Sequence, residues 1–157
     1  MKNLLILLVT VVPGLALGMD SKGLCAPKER VVFSCSTNAG KQISVCSKRE
    51  SVQYRFGRPG KVELEYPRNG DFTPSSFDYF HYFRPDENRT SLHFDTGDAE
   101  YTIFSESEGA KRSAGITVKV KANGRLQSLR CAGAAQANWY EIEGKVECAD
   151  EPMNTCQ

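Results

Sequence analysis

In the run "KVELEY" (61–66) apolar residues fall on every second position, so that Val62, Leu64 and Tyr66 share one face while Lys61, Glu63 and Glu65 share the other. Successive side chains of a strand point to opposite faces, and this alternation predicts a β-strand with one dry and one wet side. Short runs of the same kind, rich in β-branched and aromatic residues and bounded by turn residues, recur along the chain. They predict strands at about 31–36, 42–47, 51–57, 61–66, 77–84, 89–95, 99–105, 115–121 and 125–131. Asn123-Gly124 tolerates the positive φ of a two-residue hairpin turn, and Pro59-Gly60 marks another tight turn. Segments 67–76 and 106–114 read as polar loops, and "AAQANWYEI" within 132–147 has room for one helical turn. The connections are too short for the crossovers of a long parallel sheet. The fold expected is therefore all-β: a single antiparallel β-barrel or β-sandwich of about eight strands.

"MKNLLILLVTVVPGLALG" breaks this pattern. Lys2, the apolar run from Leu4 to Val12, the Pro13-Gly14 break and the small residues Ala16 and Gly18 have the layout of a secretory signal peptide over residues 1–18. The run is about half the roughly 18 to 20 apolar residues a membrane span requires. The expectation is a periplasmic or secreted single β-domain over 19–157, with no membrane span in the mature chain. Lys2 is the one charge in the leader, so 19 basic residues face 19 acidic ones in the rest of the chain. A neutral chain lacks the net basic surface that displaces counterions from phosphates, and no nucleic-acid partner is expected.

The cysteines Cys25, Cys35, Cys46, Cys131, Cys148 and Cys156 all follow the leader, and an even count in an exported chain reads as disulfides. No CxxC pair offers redox or zinc-knuckle spacing. In "FSCSTNAGKQISVC" the midpoint between Cys35 and Cys46 falls at Gly40 and Lys41, inside a turn signal, which predicts a cross-strand bridge between them. Proximity then pairs Cys131 with Cys148, leaving Cys25 for Cys156.

Candidate chemistry is sparse. His93 and Asp95 in "HFD" would share a strand face, but two ligand types without a third are a weak metal signal, and neither metal nor cofactor is expected. No GxSxG elbow or SxxK pair marks an activated serine. Glu106 and Glu108 sit among polar neighbours, unlike a glycosidase pair, which needs one carboxyl in an apolar pocket. In "FDYFHYF" alternation puts Phe77, Tyr79, His81 and Phe83 on one face and Asp78, Phe80 and Tyr82 on the other, making Phe80 and Tyr82 candidates for an exposed aromatic patch. "NRT" at 88–90 matches the glycosylation acceptor pattern and is given no functional weight.

The runs "VQYRFGRPGKVELEYP", "FDTGDAEYTIFSES" and "AGITV" resemble a family of small uncharacterised secreted bacterial proteins with "YRFG", "ELxYP" and "GxYxYTVF" strands. "NAGKQISV" and "GDAEYTIF" are also similar, more loosely, to strands of the periplasmic inhibitors of C-type lysozyme, and "SEGAK" at 107–111 matches part of those inhibitors' SGxxY loop. The second resemblance implies a disulfide-tied β-barrel that plugs a partner's cleft with a loop. The expected function is non-catalytic binding of a protein partner, with a lysozyme as its most concrete version. Its contact residues are expected in the loops 84–89 and 105–113, at Arg84, Asp86, Glu87, Arg89, Ser105, Glu106, Ser107, Glu108 and Lys111. The rival classes are a hydrolase of envelope polymers using Glu106, Glu108, His81 or Asp95, and a structural or glycan-binding module using the aromatic strand.

Overall fold

The computed structural model describes residues 22–156, and the leader expected over 1–18 lies outside them. Two sheets face each other. Strands β1 (Arg30–Ser36), β2 (Gln42–Lys48), β3 (Ser51–Arg58) and β4 (Lys61–Tyr66), with a two-residue β10 (Gln136–Ala137), form one sheet in the order β10-β1-β2-β3-β4. Strands β5 (Asp78–Arg84), β6 (Glu87–Asp95), β7 (Ala99–Glu108), β8 (Lys111–Val120) and β9 (Leu126–Arg130), with a two-residue β11 (Glu147–Cys148), form the other in the order β11-β5-β6-β7-β8-β9. All neighbours are antiparallel except β11 beside β5. Neither sheet closes on itself, so of the two architectures expected the molecule is a sandwich.

Alternation sorts the side chains between core and solvent. Val52 and Tyr54 of β3, and Thr90, Leu92 and Phe94 of β6, point inward and are buried, while Arg89, Ser91 and His93 point outward. Phe94 anchors an aromatic cluster, with its ring centroid 4.6 Å from that of Tyr101, 4.5 Å from Tyr66 and 4.9 Å from Tyr54. Each such pair contributes about 0.5–1.5 kcal/mol beyond the area it buries. At the other end of the core a 3₁₀ turn over Trp139–Ile142, the helical turn expected in "AAQANWYEI", sets Trp139 against Phe33. Its Nε1 donates to Ser105 Oγ at 2.7 Å. Residues 22–29 cover the outer face of the five-stranded sheet. There the Leu24 N–H donates to Ser44 Oγ at 3.0 Å, and Glu29 pairs with Arg55.

All three expected disulfide pairings are overturned. Cys25 bonds Cys46, Cys35 bonds Cys131 and Cys148 bonds Cys156, with Cα separations of 5.5, 5.6 and 5.8 Å. The β1–β2 hairpin turns earlier than its glycine suggests: Cys35 lies opposite Ile43, and Cys46 opposite Val31 past a register shift. Cys46 instead meets the 22–29 segment over the outer face. Cys131 follows β9 and bridges Thr37 after β1, which carries it to Cys35 in the other sheet. Cys148 in β11 sits at the opposite edge of the six-stranded sheet from β9, out of reach of Cys131.

Two turn assignments also change. The Asn123-Gly124 hairpin closes through Lys121–Gly124, with the Val120 N–H donating to Arg125 O and Gly124 at φ 66°. Segment 106–114 is not a loop: β7 and β8 run through it as paired strands and reverse at Gly109-Ala110. Both faces of this hairpin end are wet, so no apolar alternation announces it, yet its backbone ladder continues beside β6.

Candidate functional site

The nominated partner-binding residues converge on one end of the six-stranded sheet. Cross-strand register arranges its outer face in rows. Arg84, Glu87, Glu108 and Lys111 form the outermost row, across β5 to β8. Tyr82, Arg89, Glu106 and Ser113 form the next, and Phe80, Ser91, Phe104, Gly115 and Arg130 the third. Ser105 and Ser107 point to the inner face of the same hairpin. Asp86, in the β5–β6 turn at φ 66°, accepts the Gly109 N–H through its carbonyl at 2.8 Å, so the two turns are tied side by side. The two expected loops are one edge of a sheet.

Directly opposed Glu87 and Glu108 would repel each other. Arg84 and Arg89 offset this by flanking the Glu87 carboxylate, with Arg89 Nη2 at 2.6 Å. The pair covers Glu87 to 6% exposure, a burial that a carboxylate tolerates when paired. Glu106 and Glu108 remain exposed and carry no ion pair among the described residues. The edge is not acidic: Arg84, Arg89, Lys111, Arg112 and Arg130 stand among Asp86, Glu87, Glu106 and Glu108.

Phe80 and Tyr82 are half-buried rather than exposed. Residues 151–153 of the C-terminal segment border the same recess, and that segment is fastened to β5 by the Asn154 side chain on His81 N and Tyr79 O. Phe83, on the opposite face and not nominated, is 63% exposed. His81 and His93 lie on opposite faces of the sheet. His93 does share a face with Asp95, but its ring nitrogens contact Ser91 Oγ at 2.8 Å and Thr102 Oγ1 at 3.1 Å, while Asp95 binds Lys121 and the Gly97 N–H. Burial pushes the His93 pKa down, against the pull of Glu151 and Asp78. The one cluster of potential ligand atoms among the described residues, Cys25, Glu29 and Cys46, contains a disulfide and is no metal centre.

Behind the rows lies a cavity of about 600 Å³, within the usual range for ligand sites. Strand β8 outruns β9, whose pairing begins at Gly115 with Arg130, and the chain beyond Arg130 crosses to β1. The cavity occupies the gap beside the uncovered edge of β8, between Asn88, Ser107, Arg112 and Ser113 on one side and Gly133–Ala135 on the other. Gly115 has no side chain between Phe104 and Arg130, so the guanidinium reaches over the Phe104 ring, 5.8 Å from its centroid, and donates to Ser113 Oγ. Arg130 escaped sequence reasoning, while Asn88, Arg112 and Ser113 fall within the nominated segments 84–89 and 105–113 without having been singled out. A hairpin reading of "ESEGAKRS" about Gly109 would have placed Arg112 opposite Ser107.

Three disulfides fit an oxidising, extracytoplasmic compartment, and among the described residues no helix is long and apolar enough to cross a membrane. No protein-family model, curated protein or solved structure matches the chain.

Proposed function

We propose that this chain is a non-catalytic periplasmic or secreted binding protein that engages a protein partner through the hairpin end of its six-stranded sheet. The observation that carries this reading is the tie between the β5–β6 and β7–β8 turns, Gly109 N–H to Asp86 O at 2.8 Å. It joins the nominated residues into one edge continuous with a disulfide-stapled sandwich. A rigid edge loses little conformational entropy when it enters a cleft, and that favours tight association. The mixed rows of charge supply specificity and orientation more than affinity. Glu106 and Glu108 are exposed on a strand face rather than flanking an enclosed substrate site, which favours binding over hydrolysis.

A lysozyme is the partner to which the sequence resemblance points. The test is residual activity of C-type, G-type and invertebrate-type lysozymes with the protein in micromolar excess. Inhibition of one type, relieved by Glu87→Lys combined with Glu108→Lys, is the expected result. Full activity of all three eliminates lysozyme. Capture of an envelope protein that the same double variant fails to retain then tests the hairpin end itself.

A further inference from the structure

We infer that the cavity beside the free edge of β8 receives a carboxylate group of the ligand, held between Arg112 and Arg130. The inference deepens the reading of this end of the sheet as the binding surface by naming the chemistry it accepts. Its first support is charge. Arg112 and Arg130 both line the cavity, and among the described residues neither has a carboxylate within ion-pair distance. Arg112 Nη1 donates to the Gly109 carbonyl at 3.2 Å, and Arg130 is aimed by Ser113 and Phe104, so each is oriented by neutral groups that leave its charge uncompensated. Glu106 is the one acidic residue of the lining, and two cations outweigh it. A guanidinium presents a planar fork of donors that matches a carboxylate, and two such cations at one uncovered strand edge, Arg112 from the inner face of the sheet and Arg130 from the outer, favour an oxyanion over a neutral or cationic guest.

The second support is the supply of neutral donors. Asn88, Ser107 and Ser113 line the gap with an amide and two hydroxyls. Across from them, the backbone N–H groups of Gly133, Ala134 and Ala135 find no acceptor among the described residues. The side chains there are small, which keeps the backbone within reach of a guest. An extended ligand lying in the place β9 vacates could bond to the uncovered edge of β8 at one side and to these N–H groups at the other, with its carboxylate at the arginines. Two sources offer such a group: the free C-terminus of a short peptide, or an acidic sugar.

The test is a titration of the ¹⁵N-labelled protein, followed by amide shifts at low ionic strength, with probes in matched pairs. Tetra-alanine is compared with tetra-alanine amide, and N-acetylmuramic acid with N-acetylglucosamine. The expected result is a saturable shift of the amides of Ser107, Arg112, Ser113 and Gly133–Ala135 with at least one acid, and none with its neutral partner. Which acid binds identifies the source. In the Arg112→Gln, Arg130→Gln variant the dissociation constant should rise at least tenfold, whereas Lys119→Gln, outside the cavity, should leave it unchanged. Dispersed amide spectra of both variants report that they fold. Equal shifts with acid and neutral probe, no saturable shift with either acid, or tighter competition by inorganic phosphate than by either acid would overturn the inference. These small probes do not depend on any macromolecular partner, so they can succeed where lysozyme inhibition fails, and the reverse.

Discussion

Strands β6, β7 and β8 are built differently at their two ends. Toward the sandwich centre their inward positions are apolar, with Leu92, Phe94, Ile103 and Ile116 buried in the core. Toward the Gly109 turn the same strands carry polar residues on both faces, Glu106 and Glu108 outside and Ser105 and Ser107 inside. The ladder is continuous through both halves, so the change is one of side chains and not of backbone. One half supplies stability by burying aromatic surface, and the other gives little to the core beyond Ala114 and the Ser105 hydroxyl that receives Trp139. A molecule divided in this way can change the side chains of its hairpin end without changing its fold.

The sharpest way to break the contrast is to loosen the half that holds the sheets together. Removing the Cys35–Cys131 bridge by Cys35→Ala with Cys131→Ala opens the longest cross-link, with a sequence separation of 96. In the chain-entropy model a loop of about that length is worth roughly 4 to 5 kcal/mol, which urea unfolding should register. Next comes Phe94→Ala, which removes the ring touching Tyr54, Tyr66, Phe77 and Tyr101. A fall of about 4 kcal/mol in the same assay is expected, with the amide shifts of the hairpin end retained in the folded fraction.

Arg55 offers a smaller test on the outer face. It binds Glu29, Glu65 and the Leu24 carbonyl, and its loss strands the Glu29 carboxylate under the N-terminal segment. Arg55→Ala should cost about 2 kcal/mol, below the full value for a buried pair because Glu65 is 41% exposed and screened by solvent. Burial alone would raise the Glu29 pKa, but the Arg55 hydrogen bonds, the Ala26 N–H and the Arg55 charge together hold it below the ordinary 4.5. A depressed carboxylate pKa stabilises the fold above the unfolded value and loses that contribution as pH falls through the folded one. Stability should therefore drop as pH falls below about 4.5, and Glu29→Gln should flatten that part of the curve. The smallest effect belongs to the other half: Glu106→Gln with Glu108→Gln should alter stability by no more than about 0.5 kcal/mol in thermal unfolding while changing partner capture.

The amino-acid sequence by itself determined the nine main strands and the all-β class, because alternation at period 2 and turn residues act between near neighbours, and every predicted strand appears within a few residues of its range. It also put the nominated charged residues on the same two turns. What tertiary structure alone decided was pairing at a distance. Which cysteine meets which depends on hairpin register and on which sheet edge each strand occupies, and neither is written in the spacing of Cys35 and Cys46. The same holds for the hairpin end. Its wet strands lack the apolar signal that burial imposes, so "ESEGAKRSA" reads as a loop until the ladder with β6 holds it straight and brings Asp86 to Gly109. Arg112 and Arg130 become partners in one cavity because β9 ends before β8 does, a difference in strand length set by where the chain must cross to reach Cys35.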